Sequence, residues 1–202
     1  MAVYYYKNSQ ILAPVSIVSN EPMFDMTTVS LKTRRASQGH QRWELSFNIQ
    51  PTDNNIEDAL LAGVDNLNSE TMIMPQMASV LDRFSFSGAA TLSTTASANS
   101  TTVAITDNTT SSGTIPKGYF IKFNTSDKIY IVTSDATFGS SNTEVSVNIY
   151  PKLTQAISSG SQLLTGNSVV FSYYKDINNQ TGITFTDGVL ANPGTITLLE
   201  AI

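Results

Sequence analysis

Chemistry that needs a histidine or a cysteine would have to be built around His40, the single histidine of this chain, because there is no cysteine at all. A serine nucleophile of the hydrolase type sits on a strained G-x-S-x-G elbow beside a general base, and no such elbow occurs. Metal ions need clustered His, Cys, Asp or Glu. The sixteen acids are scattered; Asp25, Asp53, Asp58 and Asp65 come nearest to a group, and their spacing does not match a calcium loop. Gly39, Gly63, Gly88 and Gly118 stand too far apart to cradle a phosphate. A glycosidase carboxylate pair leaves no sequence pattern, since any two acids can meet in a fold, and nothing here points to one. The reading is of a protein that is not an enzyme and needs no cofactor and no metal.

What remains is a contact surface. Lys32, Arg34, Arg35, His40 and Arg42 form the one concentration of positive charge in a chain of net charge −5. Such a cluster either meets an acidic partner or is a solvated ribbon face whose charge protects a sheet edge. An acidic chain lacks the basic footprint of general nucleic-acid binding, so direct nucleic-acid recognition is not expected. Charged residues make up 13%, about half of the roughly 25% usual in soluble domains, and Ser, Thr and Asn fill the gap. No apolar run approaches the roughly 18 residues of a membrane span. The first residues, Met1 to Lys7, lack the basic start and apolar core of a signal peptide, so a soluble protein outside the general export route is expected.

The elements that position the cluster are strands. From Gln41 to Gln50, Trp43, Leu45, Phe47 and Ile49 fall on one face and Arg42, Glu44, Ser46 and Asn48 on the other, which predicts a half-buried strand with Trp43 as a core anchor. The preceding run alternates too, with Val29, Leu31 and Thr33 opposite Ser30, Lys32 and Arg34, and Ala36 to His40 reads as the link of a hairpin between the two runs. Ile11 to Val18 is apolar but holds Pro14, so an edge strand or two short extended pieces are expected there rather than a central strand. Pro51, Thr52 and Asp53 carry cap signals, and Ile56, Ala59, Leu60, Gly63, Val64 and Leu67 recur at three and four, predicting the one helix. Strands followed by a covering helix give an α+β first domain over 1–84.

Between Arg83 and Gly88 the texture changes to Ser, Thr, Ala and Asn, and a domain boundary is placed there. Strands are predicted at Thr102–Asp107, with Val103 and Ile105 inward, and at Tyr119–Phe123, Lys128–Thr133, Glu144–Tyr150 and Val169–Tyr174. Short antiparallel strands at this spacing make 85–179 a small barrel or sandwich. A last pair, Ile183–Thr186 with Thr195–Leu199, either closes the barrel or returns over 180–202 to complete the first domain. The fold class is mainly β with one helix.

Two segments carry a resemblance. The first, Leu31 through Arg34-Arg35 and Gly39 into Gln41-Arg42-Trp43 and Ile49, followed by a capped helix, resembles the N-terminal part of the distal tail and baseplate hub proteins of long-tailed bacteriophages. The second, Ile115–Phe123, Lys128–Asp135, Val145–Leu153 and Ile157–Leu163, resembles the small barrel attached to such proteins. The resemblance implies a structural virion protein: a hexameric ring at the distal end of the tail tube, assembled in the host cytoplasm. It also implies tube and tail-tip or baseplate proteins as partners. The basic ribbon then becomes a ring or lumen contact, and closed rings need head-to-tail complementarity. The barrel is similar to OB-folds, which implies an alternative role as a carbohydrate-binding module on the host surface. Tyr119, Tyr130, Tyr150 and Tyr173 are the candidate barrel-surface contacts for such a glycan, with Phe120 and Tyr174 as further aromatics. Tyr119 and Phe120 are adjacent in a strand, so one of the two is expected outside.

Overall fold

The computed structural model of the chain describes residues 3–27, 29, 31, 33–37, 41–50, 68–106, 111–139, 143–176, 184–186, 190–192 and 194–202. Strands β1 (Tyr5–Tyr6), β2 (Ser9–Asn20), β3 (Met23–Thr27), β4 (Thr33–Ser37) and β5 (Arg42–Ile49) come first. Strand β6 (Glu70–Ile73) and a single helical turn, α1 (Ala78–Leu81), lead to β7 (Ala90–Thr91), β8 (Thr102–Thr106), β9 (Ser112–Ile115) and β10 (Phe120–Phe123). Then follow β11 (Ile129–Val132), β12 (Ala136–Gly139), β13 (Glu144–Tyr150), β14 (Gln162–Leu164) and β15 (Val170–Lys175). The last strands are β16 (Thr184–Thr186), β17 (Leu190–Asn192) and β18 (Ile196–Glu200). The protein is mainly β, and among the described residues α1 is the single α-helix. A four-residue helix has no apolar period, so the sequence pattern does not announce it. The helix predicted from Thr52 to Leu67 lies outside the described residues.

The chain divides into two compact units, one of Tyr5–Glu70 with Tyr173–Ile202 and one of Thr71–Ser172 with the N-terminal residues to Tyr4. The first unit is organised on β5, whose burial alternates as expected: Trp43, Leu45, Phe47 and Ile49 are buried, Arg42 and Asn48 exposed. Both edges of β5 are occupied. Strand β2 pairs along one, from Ile11 opposite Ile49 to Asn20 opposite Arg42, and β18 along the other, with Ile196 opposite Phe47. The C-terminal strand therefore lies inside this sheet, flanked on its far side by Tyr173 to Lys175 of β15.

That occupancy corrects two expected pairings. A strand has only two edges, so β5 has none left for the run before it; β4 pairs instead with β3, Met23 opposite Ser37 and Thr27 opposite Thr33. Val29 and Leu31 lie between the two strands rather than in one. For the same reason Thr195–Leu199 is not the hairpin partner of Ile183–Thr186: β16 pairs with β17, and β18 with β5 and β15.

The second unit is a six-stranded antiparallel sheet in the order β7, β14, β10, β11, β13, β8. A bridge between Leu92 and Ile105 joins its two ends and nearly closes it into a barrel. Inside are Val103, Ile105, Ile121, Phe123, Tyr130, Val132, Val147, Ile149 and Leu163. Residues 71–84, expected with the first domain, belong to this unit because their apolar side chains are spent here. Val80 is part of the barrel core, and Phe84 stacks on Tyr119 with ring centroids 4.3 Å apart. Strand β10 is buried along its whole length and Tyr119, just before it, is buried as well, so Tyr119 and Phe120 are both inside. Gln76 completes the strand's edge at Phe120: the Phe120 N–H donates to Gln76 Oε1 at 3.0 Å, and Gln76 Nε2 donates to the Phe120 carbonyl at 3.1 Å. Lys122, also on β10, keeps its ammonium satisfied by Asp127 Oδ1 at 3.1 Å and the Val170 carbonyl at 3.2 Å.

Candidate assembly surface

Of the five cations read as a contact cluster, Arg34 and Arg35 stand exposed on β4 and Arg42 stands exposed at the start of β5. They are on two different ladders, so the cluster is not one ribbon face. Lys32 and His40 lie outside the described residues. Arg35 sits directly opposite Asp25, its Nε 3.3 Å from Asp25 Oδ2. An exposed pair of this kind contributes at most ~1 kcal/mol, enough to favour the register of the ribbon but not to hold it together.

The larger feature of the β3–β4 ribbon is apolar. Every residue of β3 is exposed, Met23, Phe24 and Met26 to about half, although period-two alternation places them on both faces. Between the strands, Val29 and Leu31 are exposed at 105% and 85% of their full areas. A two-stranded ribbon that buries neither face is marginal on its own in water. Met23, Phe24, Met26, Val29 and Leu31 were not legible as a contact surface in the sequence. The one signal was the apolar trio Met23, Phe24 and Met26 right after Pro22, and it reads equally well as core.

The aromatic candidates move the other way. Tyr119, Tyr130 and Tyr173 are buried, and only Tyr150 is partly accessible, which corrects their reading as barrel-surface contacts. Tyr119 uses its hydroxyl internally, accepting the Gly166 N–H at 2.9 Å, while its ring stacks on Phe84. Tyr173 belongs to the sheet around β5. Its hydroxyl donates to Glu70 Oε2 at 3.0 Å, Glu70 Oε1 pairs with Lys7 Nζ at 2.9 Å, and Tyr6 is hydrogen-bonded to Tyr173. The Lys7-Asn8 turn that presents the ammonium is a two-residue link with both residues at positive φ, 45° and 65°, the type I′ geometry that suits a tight hairpin.

Burial raises the Tyr6 phenol to about 12, offset in part by its bond to Tyr173. Burial raises the Tyr173 phenol as well, with Tyr6 and Glu70 adding to the effect. Both phenols therefore stay protonated through the neutral range and are weaker acids than free tyrosine. A pair of reluctant phenols tied to an ion pair suits a structural clamp rather than proton transfer near neutral pH. Among the described residues no three His, Asp or Glu side chains gather into a metal-binding group. Among them, too, no helix is long and apolar enough to cross a membrane.

No protein-family model matches this chain, and no curated protein matches it either.

Proposed function

We propose that this chain is a non-enzymatic structural subunit that assembles into a ring at the distal end of a phage tail tube, hexameric as in the family its sequence resembles. In that role it joins the tube to tail-tip or baseplate proteins, is assembled in the host cytoplasm and resides in the virion. The observation that supports this reading is the β3–β4 ribbon, which holds five exposed large apolar side chains on a two-stranded element with no packed face of its own. Such a surface is a contact waiting for a partner chain. The barrel is read as OB-like and as the platform for neighbouring tail proteins, a reading supported by its short antiparallel strands and near closure. Host-glycan binding keeps little support, because three of its four candidate tyrosines are core residues.

Light scattering on the purified full chain, followed by negative-stain imaging, tests the proposal. A closed ring of copies is expected. A monomer mass across the whole accessible concentration range would overturn it.

A further inference from the structure

Strand β2 has an outer edge that no described strand completes. β1 covers it only at Ser9 and Gln10. Beyond, the register against β5 shifts between Leu12 and Ser16, around Pro14, and then runs regularly from Ser16 to Asn20. A proline and a bulge guard the first part of the edge, but Val15 to Asn20 has no proline and no charge to discourage pairing. Val18 is exposed at 45% and Ile17 is partly accessible.

The next strand in the chain does not fill this edge. Only Glu21 and Pro22 link β2 to β3, and neither has the positive φ that type I′ and II′ hairpin turns require. Proline in fact fixes φ near −65°, which excludes type I′ at once. The link therefore turns β3 away from its own β2, where it pairs with β4 alone.

Building on the assembly reading, we infer that the open edge of β2 from Ser16 to Val18 receives β3 of a second copy of this chain. Neighbouring copies would then join head to tail by strand addition. The incoming strand is long enough: β3 has five residues against the three from Ser16 to Val18. The chemistry agrees. Met23, Phe24 and Met26 on the incoming strand meet Ile17 and Val18 on the edge, while the backbone groups of both strands gain ladder partners. Charge favours the same occupant. Residues 23–37 carry Lys32, Arg34 and Arg35 against Asp25 alone, in a chain whose net charge is −5, so the rest of an identical copy is acidic. Donor and acceptor are different surfaces of one chain that its own connectivity keeps from meeting. That is the arrangement that propagates from copy to copy and closes as a ring or extends as a fibre.

The absence of native cysteine makes cross-linking clean. Chains carrying Val18→Cys and Met26→Cys are co-expressed with different tags, oxidised and run without reductant. The expected result is a disulfide-linked dimer containing both tags, with little linkage in either variant alone. A doubly substituted chain should give a ladder of linked copies. Val18→Lys, which places a charge on the edge, should abolish assembly while leaving a folded chain with the circular dichroism spectrum of the unsubstituted one. Rings that form without the mixed cross-link would overturn this inference and leave the assembly reading standing. Val18→Cys linking to itself would overturn it in favour of edge-to-edge pairing, and a chain that is monomeric throughout would overturn both.

Discussion

The Thr71–Ser172 sheet brings its two end strands together through the Leu92–Ile105 bridge, whereas the Met23–Ser37 ribbon leaves both of its faces in solvent. Apolar side chains are present in both regions. In the barrel they find a facing strand; in the ribbon they find none among the described residues. Closure removes the unpaired edge that makes a sheet prone to association, and an open ribbon keeps it. The contrast separates stability from assembly: the barrel should carry much of the free energy of folding, and the ribbon should carry contacts between chains.

Four substitutions or titrations probe that division. Phe123 is fully buried in the barrel, and Phe123→Ala should cost ~3–5 kcal/mol in urea unfolding of the full chain. A loss below about 1 kcal/mol would mean the barrel is not a packed core, and the comparison would fail. The Tyr6 clamp should show up in alkali. Its pKa is raised from 10.0 in the free side chain to about 12 in the fold, so its contribution is fully present below pH 10 and is lost as pH rises toward 12. The loss amounts to roughly 3 kcal/mol, and Tyr6→Phe should flatten that alkaline limb of the stability profile.

Gly113 has φ +95°, and a Cβ there would run into the Ser85 carbonyl. Gly113→Ala should therefore destabilise by ~1–3 kcal/mol, read as a lower thermal midpoint. The smallest effect on folding is expected in the ribbon. Phe24→Ser should change the unfolding free energy by no more than about 0.5 kcal/mol when both chains are compared at dilutions where they are monomeric, yet shift the light-scattering mass toward monomer at higher concentration. A Phe24 variant that unfolds as readily as the Phe123 variant would sink the distinction between the two regions.

Much of the strand content was legible in the sequence. Glu144–Tyr150 appears as a strand with the bounds its alternation suggests, and Val103 and Ile105 point inward as read. What the reading missed was a matter of partners. Period-two alternation says which side chains share a face, but not which strand lies alongside; the β4–β5 pairing failed because β18, some 150 residues away in sequence, takes that edge. The aromatic candidates failed for a related reason. Alternation puts one of Tyr119 and Phe120 outside only if the sheet is covered on one side, and here Phe120 and Lys122, which are not part of the barrel core, are buried too. The exposed ribbon was missed because Met, Phe, Val and Leu are the residues from which cores are built.

The order of residues alone determined that the chain is mainly β and that Trp43, Leu45, Phe47 and Ile49 face inward together, because side-chain direction in a strand is set locally by the backbone. It also determined that no cysteine chemistry is available. Only the tertiary structure decided that the C-terminal strand enters the first sheet, that three candidate tyrosines are core, and that β3 and β4 stand exposed. Those outcomes depend on which distant segments compete for the same edge or face, and that competition has no local signature in the chain.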